Sequence, residues 1–141
     1  MTGMTGPLEQ VLRSSPYAAW LDAELVELGP GRAVVRATPR AAHANLAGTV
    51  HGGFVTGLAD CAFEVACNTH GPVCVAVQLD AHFATGAELE RPLTATAREV
   101  SRGPKLASYD VRVVQVDGQG QEQLVAWLQA VAYRTRRSHL P

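Results

Sequence analysis

The sequence lacks a strong charge of either sign: 12 Lys and Arg stand against 13 Asp and Glu, a formal net charge of −1. That balance argues against non-specific nucleic-acid binding, which needs a concentrated basic face to release counterions. It also lacks any apolar run of about 18 residues and any signal-peptide pattern, so neither a membrane helix nor secretion is expected. Only three cysteines are present, an odd number with no framework spacing and no CxxC, which fits reduced thiols in a cytoplasm. No GxGxxG follows a strand, which removes dinucleotide binding. Internal repeats and low-complexity linkers are absent too. What remains is 141 residues, 47% hydrophobic and 18% charged, which suits one folded cytoplasmic domain. Residues 1–6 are expected to fray and residues 136–141 to form a flexible tail.

The pattern along the chain predicts a short helix over Pro7–Arg13, stopped by Ser14-Ser15-Pro16, then two extended runs, Trp20–Leu28 and Arg32–Thr38. Gly29-Pro30-Gly31 joins them as a hairpin turn. After an Ala-rich loop comes one long helix, about Gly52–Thr69, ending before Gly71-Pro72. At 100° per residue, Val55, Leu58, Ala59, Ala62 and Ala66 form its buried stripe. Gly53, Gly57, Asp60 and Glu64 fall along the opposite side. Two glycines inside a helix cost about 1 kcal/mol each relative to Ala, so a substrate or another backbone is expected to press on that line. From Pro72 the period becomes two. Val73, Val75, Val77, Leu79, Ala81 and Phe83 alternate with polar or small residues, and strands Leu93–Ser101, Leu106–Asp117 and Gln123–Thr135 follow. This order predicts an α+β fold, an antiparallel sheet wrapped around one central helix, with open edges that a second subunit could cover.

Gly48-Thr-Val-His51-Gly52-Gly53, Gly57-Leu-Ala-Asp60-Cys-Ala-Phe63 and Ala66-Cys67-Asn68 together resemble the hotdog-fold thioesterases of the phenylacetate-degradation type. The likeness runs from Leu25 to the last strand. It implies hydrolysis of an acyl-CoA thioester, aryl or arylacetyl, by a dimer-based oligomer, a tetramer, with no metal or redox cofactor, since coenzyme A belongs to the substrate.

A thioester hydrolase needs a carboxylate to activate water or to attack, and a donor for the carbonyl oxygen. Asp60, a poor helix former set beside an apolar stripe, is the candidate carboxylate, and the resemblance makes it general base or nucleophile. Gly52 and Gly53 open the helix, where amides lack intrahelical partners and carry the positive end of the dipole. The resemblance nominates the Gly53 amide as oxyanion donor, facing the acid of a neighbouring subunit. His51 can bond the carbonyl or lock the loop, and Asn45 is either a substrate contact or a turn residue.

Glu64 departs from the relatives, which carry a small or hydroxyl residue one turn after the acid. It can tune Asp60, act as an auxiliary base, or pair with an Arg across an interface. Val77 likewise replaces a strand hydroxyl that some relatives have. Arg102 and Lys105, flanking Gly103-Pro104, are candidates for the coenzyme A phosphates, against the alternative of a solvated turn. Arg134, Arg136 and Arg137 are weaker candidates. Phe54, Phe63 and Phe83 could wall an acyl pocket, although core packing suits at least two of them. Cys61, Cys67 and Cys74 with His70 lack the geometry of a zinc site. Two rival readings keep the same fold, an acyl-thioester hydratase or dehydratase and a non-catalytic acyl-CoA binding module.

Overall fold

The computed structural model describes residues 6–141, so the expectation for the first five residues lies outside the described part. Helices α1 (Pro7–Leu12) and α2 (Pro16–Trp20) lead into strands β1 (Glu24–Gly29) and β2 (Arg32–Ala37). A 3-10 turn at Ala41–His43 precedes the long helix α3 (Gly52–Cys67). Strands β3 (Pro72–Phe83), β4 (Leu93–Arg102), β5 (Leu106–Val116) and β6 (Glu122–Ser138) complete the chain. Helix α2 was not expected. Ser15 caps it through its side chain and Pro16 takes its first turn, so the extended run begins at Glu24 rather than Trp20. Strand β6 continues to Ser138, through residues expected to belong to the tail.

The strands form one antiparallel sheet in the order β1-β2-β4-β5-β6-β3, and α3 packs chiefly on β4, β2 and β5. This is the hotdog arrangement, a sheet wrapped around one helix. Alternate residues of the central strands face α3: Ala33, Val35 and Ala37, then Leu93, Ala95 and Ala97, then Val111 and Val113, all buried. Small alanines there let a helix sit close to the sheet. The hairpin β1–β2 turns at Gly31, whose φ of +67° is a left-handed conformation that glycine reaches without strain. Its N–H donates to Thr69 Oγ1 at 2.7 Å, tying the hairpin to the end of α3.

Helix α3 is buried nearly all round. Only Gly52, Gly53, Thr56, Asp60 and Glu64 keep exposure, so one stripe stays open, and it is the stripe the glycine line marked in the sequence. The strand that flanks this region, β3, is an edge. From Val75 to Phe83 it is exposed throughout, with Val75 at 48%, Val77 at 57% and Phe83 at 52%. The simple alternation expected there is broken. The pairing with β6 shifts register between Ala76 and Gln78, a bulge at Val77 that exchanges the two faces.

Candidate active site

Asp60 projects from the middle of α3 into an open cavity of about 240 Å³ that it shares with Tyr17, Cys61, Phe63, Glu64 and Cys74. Its carboxylate makes no hydrogen bond or ion pair among the described residues. Burial pushes the Asp60 carboxyl above the ordinary aspartate range, and the negative charge of Glu64 one turn on adds to it. An unpartnered carboxylate with a raised pKa is a better base than a solvated one. Glu64 is exposed at the cavity rim, and no Arg or Lys of the described chain pairs with it. Of the readings open for Glu64, influence on Asp60 is the one a single chain displays.

The thiols are poor nucleophile candidates. Burial, with the charges of Glu64 and Asp60, pushes Cys61 up to about 12, and burial raises Cys67 and Cys74 as well. Among the described residues no group of three or more His, Cys, Asp or Glu side chains is placed to hold a metal ion. No helix there is long and apolar enough to cross a membrane.

At the other end of the open stripe the structure corrects an expectation. The Gly53 N–H is not free: it donates to Nδ1 of His51 at 2.8 Å, because His51 is the N-cap residue of α3 and its ring folds back on the first turn. His51 therefore locks the helix start, and its own N–H donates to the His43 carbonyl. Asn45 is also committed locally. Its Oδ1 accepts from the Ala47 and Thr49 amides and its Nδ2 donates to Thr49 Oγ1, the pattern of a turn residue. Asn45 and Gly52 line a second cavity of about 300 Å³, bounded by Phe83. The Phe83 ring lies 3.2 Å from where a Gly52 Cβ would be, so a side chain there would push the ring aside by a few tenths of an ångström.

Phe54, expected to touch substrate, is instead core. It is 5% exposed, with its ring 4.6 Å from that of His43. Phe63 is fully buried, edge-on to Tyr109 at 5.4 Å. The apolar surroundings of α3 draw both rings inward and leave Phe83 as the exposed one of the three phenylalanines.

Asp60 and Gly53 are seven residues apart on one helix, about 10 Å along its axis at 1.5 Å per residue. A base and an oxyanion donor must each lie about 3 Å from atoms of the same carbonyl and its attacking water. One chain does not bring them together. Arg102 and Lys105 sit in a cleft with Arg134, beside Cys74, which also lines the Asp60 cavity. Arg134 reaches this place through the β5–β6 pairing, and its Nη1 donates to the Pro104 carbonyl.

The residue that sequence reasoning missed is Tyr17. Its Oη lies 2.7 Å from where a Gly57 Cβ would be, so the pressure expected on the mid-helix glycine comes from a side chain of α2 rather than from substrate or backbone. The available signals were the Gly57 anomaly and the Ser15-Pro16 helix start.

The sequence matches the Thioesterase superfamily over residues 47–121. It is 32% identical over 114 residues to the acyl-coenzyme A thioesterase PaaI of Escherichia coli, covering 81% of this chain and 79% of that protein. The structure of the E. coli PaaI protein from the phenylacetic acid degradation operon superposes with a TM-score of 0.84 at 28% identity, over 92% of this chain and 91% of that one. A variant of the phenylacetic acid degradation protein PaaI from Thermus thermophilus gives 0.79 at 36% identity, over 86% of this chain and all of the other. The chain belongs to the thioesterase superfamily and is a thioester-hydrolysing enzyme of the hotdog fold.

Proposed function

We propose that the protein hydrolyses an aryl or arylacetyl coenzyme A thioester to the free acid and coenzyme A, in an active site shared between two chains. The observation that carries the reading is the Asp60 carboxylate, half-buried, unpartnered among the described residues and raised in pKa on the one open stripe of α3. Asp60 activates water or attacks the carbonyl carbon, and a backbone amide at the start of a partner's α3 holds the developing oxyanion.

For the Gly53 amide to be that donor, its hydrogen bond to His51 Nδ1 has to break. Two chains are needed because of the 10 Å separation along α3. The exposed apolar edge β3 supplies the seam: pairing two β3 edges about a twofold axis continues the sheet and lays two α3 helices antiparallel on the same face. The Gly53 end of one helix then runs toward the Asp60 half of the other. Two such dimers would make the tetramer. Arg102 and Lys105, joined by Arg134, offer charge to the coenzyme A phosphates, and Phe83 and Glu64 border the acyl group. Relatives whose structures are named for phenylacetic acid degradation support the aryl choice.

The test is thiol release from a panel of aryl and aliphatic coenzyme A thioesters by wild type and Asp60→Asn. Turnover of an aryl ester that falls at least about a hundredfold in the variant supports the reading. Binding without turnover by either protein defeats it in favour of a binding module.

A further inference from the structure

The cavity at Asp60 poses a chemical question. A water that gives one proton to Asp60 needs a second partner to fix the direction of its attacking lone pair. Ionised Glu64 can accept from that water but cannot donate to its lone pair, and Val77 has no polar side-chain atom. Of the side chains lining the cavity, ionised Asp60 and Glu64 only accept, Phe63 has no polar atom, and the thiols of Cys61 and Cys74 are weak donors. Tyr17 is different. It brings a neutral hydroxyl able to donate and to accept, and that hydroxyl has no hydrogen-bond partner among the described residues.

Its position is held by packing. The ring lies against Gly57, with Cε2 and Cζ at 3.4 and 3.5 Å from the missing Cβ, and its centroid is 5.7 Å from that of Trp20 on the same short helix, the two rings tilted by 34°. Gly57 and Asp60 are three residues apart on α3, with side-chain origins about 5–6 Å apart on neighbouring turns. The phenol and the Asp60 carboxylate line the same cavity of about 240 Å³, which has room for water between them.

We propose that Tyr17 is the water-positioning residue of this enzyme, donating to the attacking water while Asp60 accepts its proton. This rests on the hydrolase reading above. The water oxygen forms a bond to the thioester carbonyl carbon, and its proton passes to the Asp60 carboxylate. The C–S bond then breaks, and the proton moves from Asp60 to the departing thiolate, leaving acid and thiol. A Cβ at Gly57 would meet the phenol oxygen at 2.7 Å and displace it. The role sets α2 to work in the site, although its sequence carries no motif.

The experiment compares wild type, Tyr17→Phe and Gly57→Ala in steady-state hydrolysis of one aryl coenzyme A ester, with and without hydroxylamine as a competing nucleophile. Tyr17→Phe keeps the ring and removes only Oη. It is expected to lower kcat and kcat/KM together by about tenfold, the worth of one hydrogen bond made in the transition state, with KM unchanged. Because hydroxylamine does not depend on the same water, the ratio of hydroxamate to acid should rise in Tyr17→Phe. Gly57→Ala should show the same loss and the same rise without a drop in Tm, since Ala favours the helix. Wild-type kcat in Tyr17→Phe overturns the assignment alone. An equal loss with both nucleophiles also overturns it, because the hydroxyl would then act on the carbonyl or on packing. A wild-type protein that releases no thiol from any ester overturns the hydrolase reading and the assignment with it.

Discussion

Two carboxylates flank the same helix and are treated in opposite ways. Glu99, on β4 near the end of α3, is bound: His70 Nε2 lies 2.8 Å from its Oε2, and the buried Tyr109 hydroxyl donates to the same oxygen at 2.9 Å. Burial alone would raise its pKa, but the hydrogen bonds from His70 and Tyr109, with the charges of His70 and Arg102, outweigh it and hold Glu99 below the usual range. Asp60 is the more deeply buried of the two, with no donor among the described residues and a second negative charge nearby, so its carboxyl is raised. A partnered carboxylate holds structure together, whereas an unpartnered one keeps its basicity for a ligand. The fold needs Glu99 in place to join β4, β5 and the helix end, and it leaves Asp60 with nothing to do for stability.

The sharpest way to break this comparison is to neutralise each acid in turn. Asp60→Asn should lose at least about a hundredfold in kcat while gaining thermal stability at pH 7. The sign follows from linkage. A raised folded pKa means the charged form is disfavoured in the native state, so the cost is present above that pKa and fades as pH falls through it. Scanning calorimetry at pH 7 and at pH 4 should show the gain at the first and little at the second. Glu99→Gln should do the reverse, costing on the order of 2 kcal/mol in denaturant unfolding with kcat nearly kept. Its depressed pKa stabilises above the ordinary glutamate pKa and is lost as pH falls through the folded value.

A charge placed on the exposed edge tests whether Asp60 needs a second chain. Val77→Asp should monomerise the protein in sedimentation analysis and remove most of its turnover, because a buried like-charge pair would meet across the twofold axis. Glu64→Gln is a finer probe. It should shift the acid limb of kcat/KM downward without abolishing activity, since the Glu64 charge is the second cause of the Asp60 shift. The smallest effect is expected from Arg102→Ala and Lys105→Ala. Each should raise KM a few-fold for coenzyme A esters, the difference shrinking at high salt, with kcat unchanged.

Much of this was legible in the sequence, for identifiable reasons. The Gly-Pro-Gly turn and the buried stripe of α3 are local patterns and appear where the sequence put them, whereas the period of two fails along β3, where a bulge at Val77 interrupts it, and at Trp20, which α2 takes. The glycine line through Asp60 was legible as an anomaly, although what pressed on Gly57 was not, because Tyr17 lies 40 residues earlier. The His51 cap on Gly53 needed a rotamer, and the arrival of Arg134 beside Arg102 needed the β5–β6 register. Phe54 went inward because its neighbours on α3 are apolar on every side but one.

The most direct measurement is the pH dependence of kcat/KM for thiol release from an aryl coenzyme A ester, wild type beside Asp60→Asn. The account predicts an acid limb in wild type above the ordinary aspartate pKa of about 3.9, and its loss in the variant along with the activity. A flat profile through that range, or an Asp60→Asn protein with wild-type turnover, would contradict it.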